Sequence, residues 1–295
     1  MVKAGRRRLS RQERLAYLIL LPALGTVFAI VTIPFILVIQ QSLSSDDGTL
    51  IGLRNYARAL GNPQLYDALH ATGVYTLIVL PIEIVLGLTF ALLVHRTVRR
   101  PGLRAAIYVL AILPLVVPPV AIGVVARLIY APSYGVLNVI LERLGLIHQE
   151  INWLGNPTLA MISVASVDIW QWTPFVYLVM FSGLQTVPRE SVEAAQIDGV
   201  TWWTQFRYIE LFYLRPLFIL ILFFRLADVL RVFDHIFILT GGGPGTTTQL
   251  LSLYLYRIEF KFFDTGQAAA LAVVVLVSIS IIYTVIARFL PLERA

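Results

Sequence analysis

The sequence predicts an all-α integral membrane protein, a bundle of six transmembrane helices with both termini in the cytoplasm. Its mean hydropathy is +0.80, and charged residues make up only 14% of its 295 residues. Soluble globular domains carry about 25% charged residues, so the composition favours a membrane protein. Six apolar stretches are long enough to cross the roughly 30 Å hydrocarbon core of a bilayer. They lie near 15–41, 73–94, 105–130, 159–184, 216–239 and 268–290.

The N-terminal segment 1–14 is basic, and no small-residue cleavage site follows in the first apolar stretch. This pattern is typical of a retained cytoplasmic anchor, with a cleaved signal peptide as the alternative. Most of the 23 Lys and Arg residues fall in connections on the same side as this segment. The positive-inside rule therefore predicts cytoplasmic termini, and residues 15–295 are predicted to form a single transmembrane domain.

Several of the apolar stretches contain proline, among them Pro81, Pro114 and Pro174. Neighbouring helices in a membrane bundle can satisfy the carbonyl groups that a proline leaves free, so we expect kinked, packed spans. Outside the spans, residues 136–144 predict a short amphipathic helix, and the other outer connections read as polar loops and turns.

Residue usage argues against metal, redox and nucleic-acid functions. The chain has no cysteine and only four scattered histidines, so neither a thiolate site nor a metal site is predicted. Its net charge of +6 comes from basic residues between apolar stretches, which indicates membrane orientation. We therefore expect no bound metal and no nucleic-acid partner.

The longest cytoplasmic connection, 185–215, predicts two short helices joined by a tight turn. Pro188 suits the start of the first helix, strong helix formers follow, and Gly199 tolerates the left-handed conformation that ends it. Thr201 can cap the second helix. One interpretation is an element that docks on a partner protein. The other is an interfacial helix resting on headgroups, since the segment contains Trp202, Trp203, Phe206 and Tyr208.

A pattern in this loop points to a family. Glu-Ala-Ala at 193–195 is followed three residues later by Gly199, and then by Phe206, Ile209 and Leu211. It resembles the cytoplasmic loop of binding-protein-dependent ABC importer permeases, in the sugar-transporting branch related to the maltose permease. That branch usually has a proline where this chain has Phe212. Further matching segments follow the order of the same branch and include Gly52-Leu53-x-Asn55-Tyr56, Tyr134-Gly135-x-x-Asn138, Trp153-Leu154, Phe233-Asp234 and Thr240-Gly241-Gly242-Gly243-Pro244.

The resemblance implies a permease subunit that forms half of the translocation pathway for a carbohydrate, that is, a sugar, a sugar derivative or a polyol. It implies a second permease subunit as heterodimer partner, two ATPase subunits and a periplasmic or lipid-anchored solute-binding protein. The implied location is the bacterial cytoplasmic (inner) membrane, as a multi-pass protein. The residues that it assigns to ATPase coupling are Glu193, Ala194, Ala195, Asp198 and Gly199.

ATP hydrolysis is expected on a partner subunit. A phosphate cradle needs Gly-x4-Gly-Lys-Ser/Thr, and the glycine-rich stretch 241–248 has no lysine. We therefore expect that the chain is not an enzyme and binds no cofactor, and that ATP and Mg²⁺ bind the separate ATPase. The resemblance and the close approach that glycine backbone allows make Gly241, Gly242, Gly243 and Pro244 candidate contacts for the binding protein. A plain span-connecting turn is the alternative.

Ionisable residues within apolar spans are candidates for the translocation pathway. Arg225, Asp228 and Arg231 recur at intervals of three, and Asp234 follows. They predict a polar stripe lining the pathway, and the alternative is an Arg–Asp–Arg ladder that fixes helix packing. Trp172 and Phe175 match positions that line the sugar site in the maltose permease, with core or lipid-facing aromatics as the alternative.

Two other residues and two other protein classes complete the predictions. Glu83 and Arg127 are interpreted as packing or snorkelling groups. An ion-gradient-driven secondary transporter would show inverted repeats, and none is visible in the sequence. A membrane transferase would need an Asp-rich metal motif, for which Asp46-Asp47 is too isolated.

Overall fold

The computed structural model describes residues 11–45 and 47–288, and this part of the chain is built from helices. The predicted segment 1–14 therefore lies largely outside the described residues, as do the last residues of the predicted span 268–290. The helices, in order, are α1 (Arg11–Ser42), α2 (Arg54–Gly61), α3 (Pro63–Thr97), α4 (Pro101–Val116), α5 (Pro119–Ile129), α6 (Val136–Arg143), α7 (Pro157–Leu184), α8 (Arg189–Ile197), α9 (Trp202–Gln205), a π-helical turn (Phe206–Glu210), α10 (Leu211–Arg231), α11 (Asp234–Leu239), α12 (Leu251–Phe260) and α13 (Thr265–Ala287).

Local sequence signals set the starts of the long helices α3 and α7. The Asn62 side chain accepts a hydrogen bond from the backbone N–H of Gln64 at 3.0 Å, and Pro63 occupies the first helical position. Asn156 and Pro157 repeat the arrangement at α7, where the Asn156 side chain accepts from Thr158 N at 3.0 Å. Both starts combine a good N-cap with a proline whose missing N–H would have had no partner there.

By length and composition, three of the described helices can cross a membrane, namely the part of α1 from Ile19 to Ser42, α3 and α13. The pair α4–α5 raises the number to four if it is counted as a single span. The helices α7 and α10 coincide with the fourth and fifth predicted spans but carry more polar residues. The count of six spans stays a prediction.

Two of the predicted spans are not continuous helices. The stretch 105–130 bends by 91° between α4 and α5, where Pro118 and Pro119 both lack an N–H and clash with helical geometry before them. The stretch 216–239 breaks between α10 and α11, after Arg231. The hydroxyl of Ser252 donates to the Val232 carbonyl at this break and so satisfies an acceptor that no longer belongs to a helix.

The helices α3 and α7 form the centre of the bundle. Gly87 of α3 lies so close to α7 that an added Cβ would be 2.5 Å from Val176 Cβ. Their buried side chains join those of neighbouring helices in two apolar clusters, one around Tyr75 and one around Tyr177. By contrast, α1 packs along α13, and no residue of its most apolar 18-residue stretch is buried.

Candidate functional site

A buried ion-pair network joins α3, α7 and α10 at the centre of the bundle. The Arg225 side chain donates from Nε and Nη2 to the two carboxylate oxygens of Glu83, each at 2.8 Å. Its Nη2 also donates to Asp168 Oδ2 at 2.9 Å. All three side chains are fully buried. Because a buried charge needs hydrogen-bonded partners of opposite sign, this fork-like arrangement fixes the three helices relative to one another.

The predicted stripe along α10 continues from this network to the surface. Asp228 Oδ2 lies 3.8 Å from Arg225 Nη1, and Asp228 Oδ1 accepts a hydrogen bond from Arg231 Nη2 at 3.0 Å. Arg231 is 71% exposed. The Arg–Asp–Arg ladder therefore exists, but Arg225 points into the bundle while Arg231 faces outward. Asp234 heads α11 beyond the helix break, so it does not extend the stripe on the same helix.

The two predicted aromatic residues lie beside this network. Trp172 is half-buried, and its ring stacks on the Arg225 guanidinium with 4.6 Å between the guanidinium carbon and the ring centroid. Phe175 meets Trp172 edge to face at 6.1 Å. Phe175 also lines a mainly apolar cavity of about 550 Å³ with Tyr108 and Tyr213. Aromatic surface and charged groups thus lie side by side at this point of the bundle.

The loop 185–215 has the predicted helix–turn–helix form. α8 ends at Ile197 with Asp198 as its C-cap, and Gly199 adopts φ +70°. Val200 N donates to the Ala195 carbonyl at 3.0 Å and Gly199 N to the Gln196 carbonyl at 3.1 Å, which is a Schellman motif. Thr201 caps α9 through its side chain. The turn therefore has a conformation that glycine adopts without strain.

The residues predicted for ATPase coupling do not all face the same way. Glu193, Ala194, Asp198 and Gly199 are exposed, whereas Ala195 is buried. Ile197, next to this surface, is 86% exposed. The face of α8 that carries Glu193 is thus available to another protein, while Ala195 packs toward its own chain.

A cavity of about 720 Å³ lies between this loop and the end of α3. Its lining includes His95, Arg96 and Arg104 from α3 and α4 and Glu193 and Glu210 from the loop. The Arg104 side chain donates to the carbonyl groups of Val98 and His95, so it fixes the connection between α3 and α4. Part of the loop therefore borders a polar, charge-lined space next to the bundle.

The glycine-rich turn at the opposite end of the bundle is tightly anchored. Arg257 Nη2 donates to the Gly241 carbonyl at 2.6 Å, and the Thr248 hydroxyl donates to the Gly243 carbonyl at 2.8 Å. Gly242 has φ +94°, and an added Cβ would be 2.9 Å from a Leu253 methyl group. Gly242 is buried, whereas Gly241, Gly243 and Pro244 are partly exposed. Turn geometry thus accounts for Gly242 without any contact to a partner.

The family follows from a comparison with known proteins. Residues 83–292 match the family of binding-protein-dependent transport system inner membrane components. The chain belongs to this family. The resemblance inferred from the loop and its accompanying motifs is therefore confirmed, as is the location in the inner membrane.

Relatives of this inner membrane component include transporters with named substrates. It is 34% identical over 287 residues to the trehalose/maltose transport system permease protein MalF of Thermococcus litoralis. The alignment covers 95% of each chain. It is 32% identical over 288 residues to the sulfoquinovosyl glycerol transport system permease protein SmoG of Agrobacterium fabrum, with 93% of this chain and 92% of the relative covered.

The fold of this inner membrane component is also known from a solved structure. It aligns with a chain of a bacterial ABC transporter involved in the import of the acidic polysaccharide alginate. The TM-score is 0.82 and the identity 24%, with 97% of this chain and 98% of the other covered. The all-α ABC importer permease fold is therefore confirmed.

The motifs that carried the resemblance also fasten loops between the helices of this inner membrane component. Asn55 donates to the carbonyl groups of Ser42 and Ser44 at 3.1 and 2.7 Å. Asn138 accepts from Trp153 Nε1 at 2.8 Å and donates to the carbonyl groups of Pro132 and Ile151. These side chains replace regular secondary structure as partners for buried backbone groups.

Sequence reasoning missed the partners of Arg225. Glu83 was interpreted as a packing or snorkelling group, but it is fully buried and paired, so snorkelling is wrong. Asp168 lies in the fourth predicted span, and no role was predicted for it. The sequence signal that could have revealed these partners is a single acidic residue in each of two apolar helices. Such a residue needs a group of opposite charge nearby. Arg127, by contrast, donates to the Ile238 carbonyl at 3.3 Å from an exposed site.

Proposed function

We propose that this permease component forms half of the pathway by which an ATP-driven importer moves a carbohydrate delivered by a solute-binding protein. The observation that carries the proposal is its similarity, over nine-tenths of the chain, to permeases named for trehalose, maltose and sulfoquinovosyl glycerol transport. The importer would contain a second permease subunit as heterodimer partner and two ATPase subunits. ATP and Mg²⁺ would bind those ATPases, and this chain would catalyse no reaction.

The proposed contact with the ATPase is the exposed face of α8. Glu193 projects from it and can form charge-assisted hydrogen bonds in a partner's groove. The Schellman motif at Gly199 holds the following turn in a fixed shape. The exposed rings of Trp202, Trp203 and Tyr208 lie on the adjacent segment and also suit the headgroup region. Docking and interfacial contact therefore belong to neighbouring parts of one loop.

The proposed substrate pathway runs beside the buried network. Asp168 Oδ1 and Arg225 Nη1 lack hydrogen-bond partners among the described residues. Both atoms are fully buried, so a substrate hydroxyl would reach them only once the helices separate, whereas the partly exposed Trp172 and Phe175 rings can pack on the C–H faces of a sugar. Asp228, Arg231 and Asp234 would extend the polar surface toward the glycine-rich turn, where Gly241, Gly243 and Pro244 are proposed to meet the binding protein.

Replacing Glu193 by alanine is expected to weaken association with the ATPase about tenfold or more, because a hydrogen bond to a charged group contributes about 1.5–3 kcal/mol. Coupled transport should fall accordingly, while the binding protein keeps its ligand affinity. Association is measured by copurification of the ATPase with the permease, and transport is measured as uptake into proteoliposomes. Glu190→Ala, on the same helix and also exposed, is the control. Unchanged uptake in Glu193→Ala would contradict the docking assignment.

The substrate class has a separate test. In proteoliposomes containing both permeases and the ATPases, the cognate binding protein loaded with a disaccharide, a sugar acid or a polyol should stimulate ATP hydrolysis and uptake, whereas amino-acid ligands should not. Stimulation by amino acids alone would overturn the carbohydrate assignment. Uptake by this chain alone, driven by an ion gradient, would favour a secondary transporter.

A further inference from the structure

A second ion pair links α3 to the loop, at the end of the bundle that carries α8. Arg96 Nη2 donates to Glu210 Oε2 at 2.9 Å. The Glu210 side chain is only 4% exposed, and that of Arg96 is 29% exposed. Since this pair is largely removed from water, it is screened less than a surface ion pair. We call it the loop-end pair, and the Glu83–Arg225 contact the central pair.

The loop-end pair is held in place from both sides. Glu210 ends the π-helical turn Phe206–Glu210, in which residues five apart face each other. Gln205 Nε2 accordingly donates to Glu210 Oε1 at 2.8 Å, so both carboxylate oxygens have partners. The Arg96 guanidinium stacks on Trp202, with 5.4 Å to the ring centroid. Three residues of the loop thus meet the last turn of α3 at one point.

The two ion pairs connect the same two helices at matched spacing. Along α3, Glu83 and Arg96 are 13 residues apart, which is about 20 Å of helix. Along the helix that runs from α9 through α10, Glu210 and Arg225 are 15 residues apart, about 22 Å. The segments run antiparallel, and the polarity alternates, because α3 supplies the acid of the central pair and the base of the loop-end pair.

We propose that Arg96 and Glu210 are positioning residues that make α3 and α10 move as one rigid body, so that a displacement of the loop reaches the central network. Two separated attachments prevent rotation of one helix against the other, which a single attachment would allow. The stretch of α3 between the two pairs contains no proline, whereas the matching stretch of α10 contains Pro216, so α3 is the straighter of the two members that the pairs join. The inference rests on the proposed coupling of this loop to an ATPase.

The test uses the complete importer in proteoliposomes. Glu210→Gln keeps the shape of the side chain but removes its charge, and it should reduce the sugar transported per ATP hydrolysed about tenfold, within the range usual for coupled sites. The ATPase should still copurify, unlike in Glu193→Ala. Arg99→Glu, an exposed charge reversal three residues beyond Arg96, is the control and should transport normally.

A charge swap covers the case in which Glu210→Gln does not fold. Arg96→Glu alone should lose coupling, and the double variant Arg96→Glu/Glu210→Arg should regain at least half of it. Coupling at the level of the unsubstituted importer in Glu210→Gln, or no rescue by the folded double variant, would overturn the inference. Neither result would affect the docking role of Glu193, so failure of the inference can be told apart from failure of the proposed function.

A distance measurement supplies a readout that a purely structural role would not change. The sequence contains no cysteine, so single cysteines can be introduced at exposed Thr97 and Tyr208 and spin-labelled without removing native thiols. The distance between the labels should stay the same with and without ATP. In Glu210→Gln the distribution of distances between the labels should broaden or shift on ATP binding. A distance that changes equally in both proteins would contradict rigid-body movement.

Discussion

Replacing Arg225 by alanine is expected to destabilise the protein by about 3–5 kcal/mol, because it leaves the buried carboxylates of Glu83 and Asp168 without their counter-charge. Both acids are fully buried, so water cannot solvate them in the folded state. The measurement is the thermal unfolding of the purified complex in detergent. A large fall in melting temperature would identify Arg225 as a structural centre of the bundle.

Arg231→Ala is the matched control for this prediction. Arg231 belongs to the same helix and also pairs with an aspartate, but it is 71% exposed. Exposed ion pairs contribute about 0–1 kcal/mol, so the melting temperature should hardly change. Equal effects of the two substitutions would contradict the assignment. Lost transport with normal stability in Arg225→Ala would instead favour direct substrate contact over the packing ladder.

Replacing Gly87 by alanine is expected to separate α3 from α7 and to cost about 1–3 kcal/mol or more, as overpacking does. The added Cβ would be 2.5 Å from Val176 Cβ and 2.9 Å from the backbone nitrogen of Tyr177. A backbone atom cannot move aside as a flexible side chain can, so the helices themselves must shift. Thermal unfolding of the complex measures the cost.

Gly73→Ala, on the same helix, is expected to change the stability in the opposite direction. A Cβ at Gly73 would meet no atom within 4 Å. Alanine is favoured over glycine in a helix interior by about 0.5–1 kcal/mol, so this substitution should stabilise the protein slightly. If Gly87→Ala were also neutral or stabilising, the close approach of α3 and α7 would not be a constraint on the fold.

Features with local causes could be predicted from the sequence. The loop helices follow from Pro188, the left-handed glycine at Gly199 and the cap at Thr201, and each signal lies within a few residues of its effect. The short helix predicted over 136–144 is observed as α6 for the same reason. Hydropathy and length alone were sufficient to locate five of the six apolar stretches, each of which is covered over most of its length by one helix.

Features that depend on distant parts of the chain could not be predicted. Glu83 and Arg225 are 142 residues apart, and a single sequence does not state which acid a buried arginine will meet. The orientations of Ala195 and Gly242 depend likewise on what packs behind them. The two prolines that break the helix, Pro118 and Pro119, are visible in the sequence. They did not predict a break, because the stretch 105–130 is apolar throughout and prolines are tolerated within membrane bundles.

The packing of α1 along α13 sets an order for events during synthesis. These two helices come from opposite ends of the chain, so the first to leave the ribosome meets its neighbour only after more than 200 further residues have been made. At about 5–20 residues per second this delay is on the order of tens of seconds. Throughout it, α1 must persist in the bilayer without that neighbour. Its apolar, unburied surface suits this, since lipid solvates such a helix and its backbone hydrogen bonds are internal.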